Sequence, residues 1–122
     1  MIPKKNRTSQ KIIDLVFKKG SFINSNNISL KFYIDKRNPN IRVSFIAPKS
    51  VAKSAVLRNM LRRRGYLVFS KYLNTLPKGL NGAFVFGKNS KELFATRGLD
   101  KNKAFIALDD EIKIIIEKLT KI

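Results

Sequence analysis

The sequence predicts a single α/β domain, an α+β sandwich in which helices pack on one mixed sheet. Three observations predict it. The 122 residues suit one hydrophobic core, and a 43% hydrophobic fraction with nine phenylalanines supplies the material for it. Two stretches alternate apolar and polar residues in the manner of strands, while three others repeat apolar residues at helical spacing. Along the chain these follow as helix, strands, long helix, strand and helix, with no internal repeat.

Residues 9–19 read as a short helix. Ile12, Ile13, Val16 and Phe17 recur on one face, Ser9 is a candidate cap and Gly20 a stop. From Ile28 to Asp35 the alternation is strict, with Ile28, Leu30, Phe32 and Ile34 on one side and Ser29, Lys31, Tyr33 and Asp35 on the other. The segment KRNPN at 36–40 carries turn chemistry, and Ile41, Val43 and Phe45 alternate towards Ala47, so the two strands are expected to pair as a hairpin. After Pro48 the period changes. From Val51 to about Leu73, Leu57, Met60, Leu61, Val68 and Tyr72 share a helical face, which Gly65 weakens by about 1 kcal/mol relative to Ala and Arg64 interrupts. Pro77 and Gly79 end that helix. The run GAFVFG at 82–87 reads as a buried strand, and Asp109 to Leu119 as a final helix with Ile112, Ile115, Ile116 and Leu119 as its stripe. Asp109, Asp110 and Glu111 suit the positive N-terminal end of that helix. Residues 89–108 stay unassigned, with room for a short helix near 90–96 and a loop.

Charge narrows the function. The chain carries 26 Lys and Arg against 8 Asp and Glu, a net +18. From Lys36 to Lys91 stand thirteen basic residues and no acidic one, and six of the eight carboxylates lie from Glu92 onward. A field of one sign over half the chain calls for a polyanion, because such a surface repels itself unless something neutralises it. An anionic membrane is the weaker candidate partner, since no stretch joins a wide apolar face to a separate basic one at sufficient length. No run is long and apolar enough for a membrane span, and MIPKKNRTSQ lacks a signal-peptide core; the lack of cysteine agrees with the cytoplasmic location that is expected. The sequence has no Cys and no His, which removes disulfides, thiolate chemistry and the commonest general base and metal ligand. A protein nuclease would then need a carboxylate cluster around metal ions. Asp109, Asp110 and Glu111 form the one cluster, and adjacent helix positions diverge, so no catalytic or metal-ligating residue is assigned.

The segment from Pro48 carries the strongest signal. On a helix Arg58 and Arg62 stand one turn apart, Asn59 and Arg63 form the neighbouring row, and all four avoid the face of Leu57, Leu61 and Val68. Planar, permanently charged guanidinium forks beside an amide suit phosphate groups. A solvated basic face that serves only solubility is the competing reading.

Arg58 and Asn59, followed by Arg62 and Arg63, resemble the arginine-asparagine motif of the bacterial ribonuclease P protein family. In that family a strand leads through a lysine-rich turn and an alanine-valine step into the helix. Here those parts read Arg42-Val43, then Lys49 and Lys53, then Ala55-Val56. The first helix is similar as well, in Leu15-Val16-Phe17 and Gly20, and the resemblance runs over most of residues 7–88. Met60 departs from the pattern where another arginine is usual, Tyr66 and Leu67 where an arginine and an acidic or amide residue are usual, and Ile13 where an aromatic is usual. Arg64 is a candidate to replace part of that charge.

The resemblance implies a mixed four-stranded sheet in the order α-β-β-β-α-β-α, with a left-handed crossover through the arginine helix, against the usual hand. It implies a protein subunit that assists Mg²⁺-dependent endonucleolytic removal of the 5′ leader from precursor tRNA, with the chemistry and most of the Mg²⁺ held by a catalytic RNA. Its RNA contacts would be Arg58, Asn59, Arg62, Arg63, Lys49 and Lys53. A cleft between the first helix and the sheet would hold the leader, with Phe17 and Phe32 as candidates for stacking unpaired bases. Its partners would be ribonuclease P RNA and precursor tRNA, and the free protein would be a monomer. A structural rRNA-binding protein of the ribosomal type, or a nonspecific DNA-binding protein, shares the charge and size and stays open on the residues alone.

Overall fold

Strand alternation sets the two faces of the sheet, and every later feature depends on which face a side chain takes. The computed structural model describes residues 10–37, 39–95 and 98–121, without the side chains of Gln10, Ile12 and Leu99. The expected cap at Ser9 and the packing of Ile12 therefore lie outside the described residues. Helix α1 spans Gln10–Lys19, strands β1, β2 and β3 span Ser21–Asn24, Ile28–Ile34 and Arg42–Ile46, and helix α2 spans Ala55–Phe69. Then come β4 at Leu80–Phe86, a short α3 at Ser90–Phe94 and the long α4 at Lys101–Thr120.

The four strands lie in the order β1-β2-β4-β3. The outer pair β1–β2 and the central pair β2–β4 are antiparallel, while β3 runs parallel to β4. The expected hairpin of β2 with β3 is therefore wrong, since β4 separates them. Turn residues between two alternating stretches do not specify a hairpin when a third, wholly buried strand can pair with both. Helix α2 is the crossover from β3 to its parallel neighbour, a connection that parallel pairing requires.

Cross-strand partners share a face. Ile23, Ile28, Leu30, Phe32, Val43, Phe45, Leu80, Phe84 and Phe86 fall on one, and all but the half-buried Ile23 are buried. Against them pack Leu61, Val68 and Phe69 of α2 and Leu108, Ile112, Ile115, Ile116 and Leu119 of α4. Phe45 is the hub: its ring stacks on Phe84 at 4.7 Å and meets Tyr66 and Phe69 edge-on at 5.1 and 6.0 Å. Ile34, expected with this set, is 39% exposed at the strand end.

Helix α2 is shorter than the expected 51–73. Ser54 caps it by accepting from Leu57 N, and after Phe69 the chain tightens into a 3₁₀ turn over Ser70–Thr75 that keeps Tyr72 against the core. The final helix begins eight positions before the expected Asp109, at Lys101. Asp109, Asp110 and Glu111 accordingly sit in mid-helix and cannot compensate its dipole. Two of them are tied to neighbours instead. Glu111 is buried and accepts from Ser25 Oγ at 2.7 Å, Asn27 N at 2.6 Å and Asn27 Nδ2 at 2.9 Å, which fastens the β1–β2 turn to α4. Asp109 accepts from Tyr72 Oη at 2.6 Å and pairs with Lys71 at 3.0 Å.

Candidate nucleic-acid interface

Helix α2 presents its cations by simple geometry. At 100° per residue Leu61, Arg64, Gly65 and Val68 share the inward side, and Asn59 and Arg63 project opposite them, exposed. Arg58 and Arg62 lie on the flank between, on the side of Tyr66, whose hydroxyl accepts from Phe45 N on the outer edge of β3. Arg62 Nη2 donates to Asn59 Oδ1, so the amide orients the guanidinium across the two rows. Arg58 has a different task. Half-buried, its Nη1 donates to the carbonyls of Ala52 at 3.0 Å and Lys53 at 2.7 Å, which pins the loop carrying the exposed Lys49 and Lys53 beside the helix start. None of Lys49, Lys53, Arg58, Arg62 or Arg63 is ion-paired among the described residues. Asp109 is engaged by Lys71 and Tyr72 and Glu111 by the β1–β2 turn, so neither is tied to this face.

Arg64, a candidate for additional outward charge, turns inward. It is 6% exposed, donates to the carbonyl of Phe94 at 2.8 Å and stands 5.1 Å from the Phe105 ring centre. Its guanidinium ties α2 to α3 and α4.

The second face of the sheet carries Phe22, Ser29, Lys31, Tyr33, Ser44, Ile46, Ala83 and Val85. Helix α1 covers part of it through Val16, which is fully buried, while Phe17 is 42% exposed. Gly20 permits the close approach: a Cβ there would stand 2.8 Å from the Phe32 carbonyl oxygen. Lys31 Nζ lies 4.9 Å from the Phe17 ring centre and its residue stands directly opposite Phe22, which is 67% exposed. Two open rings therefore flank one cation along the border of α1. A groove of about 340 Å³ extends this border past Leu15, Lys19, Tyr33 and Lys36, where the carboxylate of Asp35 is engaged by Arg37. Phe32 does not belong to this surface. It is 5% exposed and points into the core beside Leu30, so it offers no ring to a base.

Titration is perturbed where Asp109 meets Tyr72. Burial, reinforced by the hydrogen bond to Asp109, pushes the Tyr72 hydroxyl up to about 12. Burial opposes ionisation of Asp109, but the hydrogen bonds from Tyr72 and Lys71 prevail and hold its carboxyl below the usual range. Among the described residues no group of three or more carboxylates comes together to hold a metal, and no helix is long and apolar enough to cross a membrane.

A family model described as ribonuclease P matches residues 2–107. The chain belongs to the ribonuclease P protein family. Solved structures share the fold of this chain. The RNase P protein of Staphylococcus aureus has a TM-score of 0.75 at 12% identity, over 95% of this chain and 95% of that one. The Thermotoga maritima RNase P protein has a TM-score of 0.74 at 18% identity, over 92% and 96%. At these identities the likeness is one of fold. No match is found among curated proteins.

In this ribonuclease P protein the structure gathers Arg58, Asn59, Arg62 and Arg63 on contiguous sides of α2, with Lys49 and Lys53 at its start. Phe17 lies on a different surface, across the sheet. Phe22 and Lys31 are not among the expected site residues. Alternation places Lys31 and Tyr33 on the side of the strand opposite the core-facing Phe32, without a role. Phe22 had no such signal, since β1 is too short for a period to register.

Proposed function

We propose that this chain is the protein subunit of ribonuclease P, which binds the catalytic RNA through the outer face of α2 and the 5′ leader of precursor tRNA along the border of α1. The observation that carries the reading is the basic side of α2: Asn59, Arg62 and Arg63 stand together and outward, with Lys49 and Lys53 held beside them by Arg58. A row of unpaired cations attracts phosphates and releases their counterions, whatever the base sequence. The second surface suits an unpaired strand. Phe17 and Phe22 offer rings for base stacking, and Lys31 between them offers charge to the backbone.

Catalysis itself belongs to the RNA. This chain has no histidine or cysteine, and among the described residues its carboxylates are not gathered as a divalent cation would require. The residues present do not fit a protein-held Mg²⁺; the ion that assists cleavage is a ligand of the RNA. The protein contributes by holding leader and catalytic RNA on two surfaces of one fold and by screening the repulsion between their phosphates. Cleavage of precursor tRNA by a bacterial ribonuclease P RNA at low Mg²⁺ tests this directly. Addition of the purified chain raises the rate of leader release. No stimulation over RNA alone contradicts the assignment.

A further inference from the structure

A groove of about 390 Å³ lies between α2 and α4, lined by Met60, Arg63, Arg64, Leu67, Lys101 and Phe105. We propose that this groove receives an unpaired nucleobase of the RNA bound by the arginine face, a recognition site beyond that face although it rests on the RNA-binding reading of it.

Four observations carry the proposal. The groove is continuous with the basic side of α2, because Arg63 belongs to both. Among the described residues its charged lining is cationic, in Arg63, Arg64 and Lys101, so an anionic nucleotide fits it and a basic partner does not. Its floor is apolar and aromatic: Phe105 is half-buried, held by the buried Arg64 guanidinium at 5.1 Å on one side of its environment and approached by Lys101 at 6.0 Å. An aromatic ring beside cations is the chemistry that captures a splayed base and its phosphate together. The volume lies within the roughly 300 to 1,000 Å³ of small-ligand sites, more than a lone phosphate needs. Met60 and Leu67 add to that apolar lining, and Leu67 is 45% exposed.

Affinity of the full chain for a bacterial ribonuclease P RNA, measured by filter binding at low and high monovalent salt, tests the site. Phe105→Leu keeps the groove apolar and removes the ring. It weakens binding about fivefold or more, the loss expected of one stacked base, and by the same factor at both salts because stacking is uncharged. A photoreactive probe attached to Leu67→Cys crosslinks to an unpaired nucleotide, and the same probe on Ile114→Cys, on the far part of α4, does not. Making that nucleotide abasic weakens the parent protein and leaves Phe105→Leu unchanged. Full affinity in a folded Phe105→Leu, or crosslinks from Leu67→Cys confined to duplex or absent, overturns the groove. In that case a salt-dependent parent affinity leaves the arginine face standing. A parent chain that does not bind the RNA at all overturns both.

Discussion

Gly65 sits in mid-helix, where glycine costs about 1 kcal/mol relative to Ala by propensity alone. The structure reverses the sign expected of replacing it. A Cβ at Gly65 would stand 2.5 to 2.9 Å from three carbons of the Phe45 ring, and that ring is fixed by its stack on Phe84. Gly65→Ala is therefore expected to destabilise the fold by about 1 to 3 kcal/mol in chemical denaturation, despite its better helix propensity. A gain in stability would show that Phe45 yields. The arginines separate in the same way. Arg58→Ala leaves the carbonyls of Ala52 and Lys53 without their donor, so it lowers stability as well as RNA affinity, whereas Arg63→Ala lowers affinity alone. Tyr72 and Asp109 set the pH response. Protonated Tyr72 is favoured in the folded state, so its contribution is full below pH 10 and is lost as pH rises towards about 12. Asp109, held low, contributes above the ordinary carboxylate range and loses that contribution as pH falls through its folded value. Stability of Tyr72→Phe should fall less steeply than that of the parent between pH 10 and 12; parallel curves would contradict the link.

Elements were legible in the sequence to the degree that burial was one-sided. Strand β2 and the stripe of α4 declared themselves because each shows one face to the core and one to solvent. The same test fails for β1, whose four residues are mostly exposed, and for the first half of α4, where Lys101, Asn102 and Lys103 conceal a helix whose stripe begins at Ala104 and Leu108. Strand pairing was out of reach, since β4 is buried on both faces and alternation assigns it no partner. The acidic trio shows how a local rule misleads: charges suited to a helix start serve contacts distant in sequence. Glu111 clamps the β1–β2 turn through three hydrogen bonds, and Glu111→Gln turns one acceptor oxygen into a donor facing donors. That change is expected to cost about 1 to 3 kcal/mol in thermal or denaturant unfolding. It also loosens β1, and with it Phe22, so binding of single-stranded RNA weakens alongside stability.

The whole molecule divides its charge by position in the chain, and the fold keeps that division. Asp109 and Glu111 of α4 satisfy donors from other elements, while Lys49, Lys53, Arg62 and Arg63 stand without ion pairs among the described residues on α2 and beside its start. The basic side of α2 was readable from the helical spacing of four residues. The border of α1 proposed for the leader was only half readable, because it joins α1 to strands whose faces are known only once β1 and β4 are in register. Phe17→Ala should separate the two surfaces: affinity for a single-stranded leader falls by about 1 to 3 kcal/mol while affinity for the catalytic RNA holds. The most direct test of the RNA-binding face is the dependence of log affinity for ribonuclease P RNA on log salt, in the parent and in the double variant Arg62→Ala, Arg63→Ala. Each phosphate that an arginine no longer neutralises flattens the slope by about 0.7 to 0.9, so the double variant should bind with a slope shallower by roughly 1 to 2. An unchanged slope would contradict the claim that this side of α2 meets the RNA.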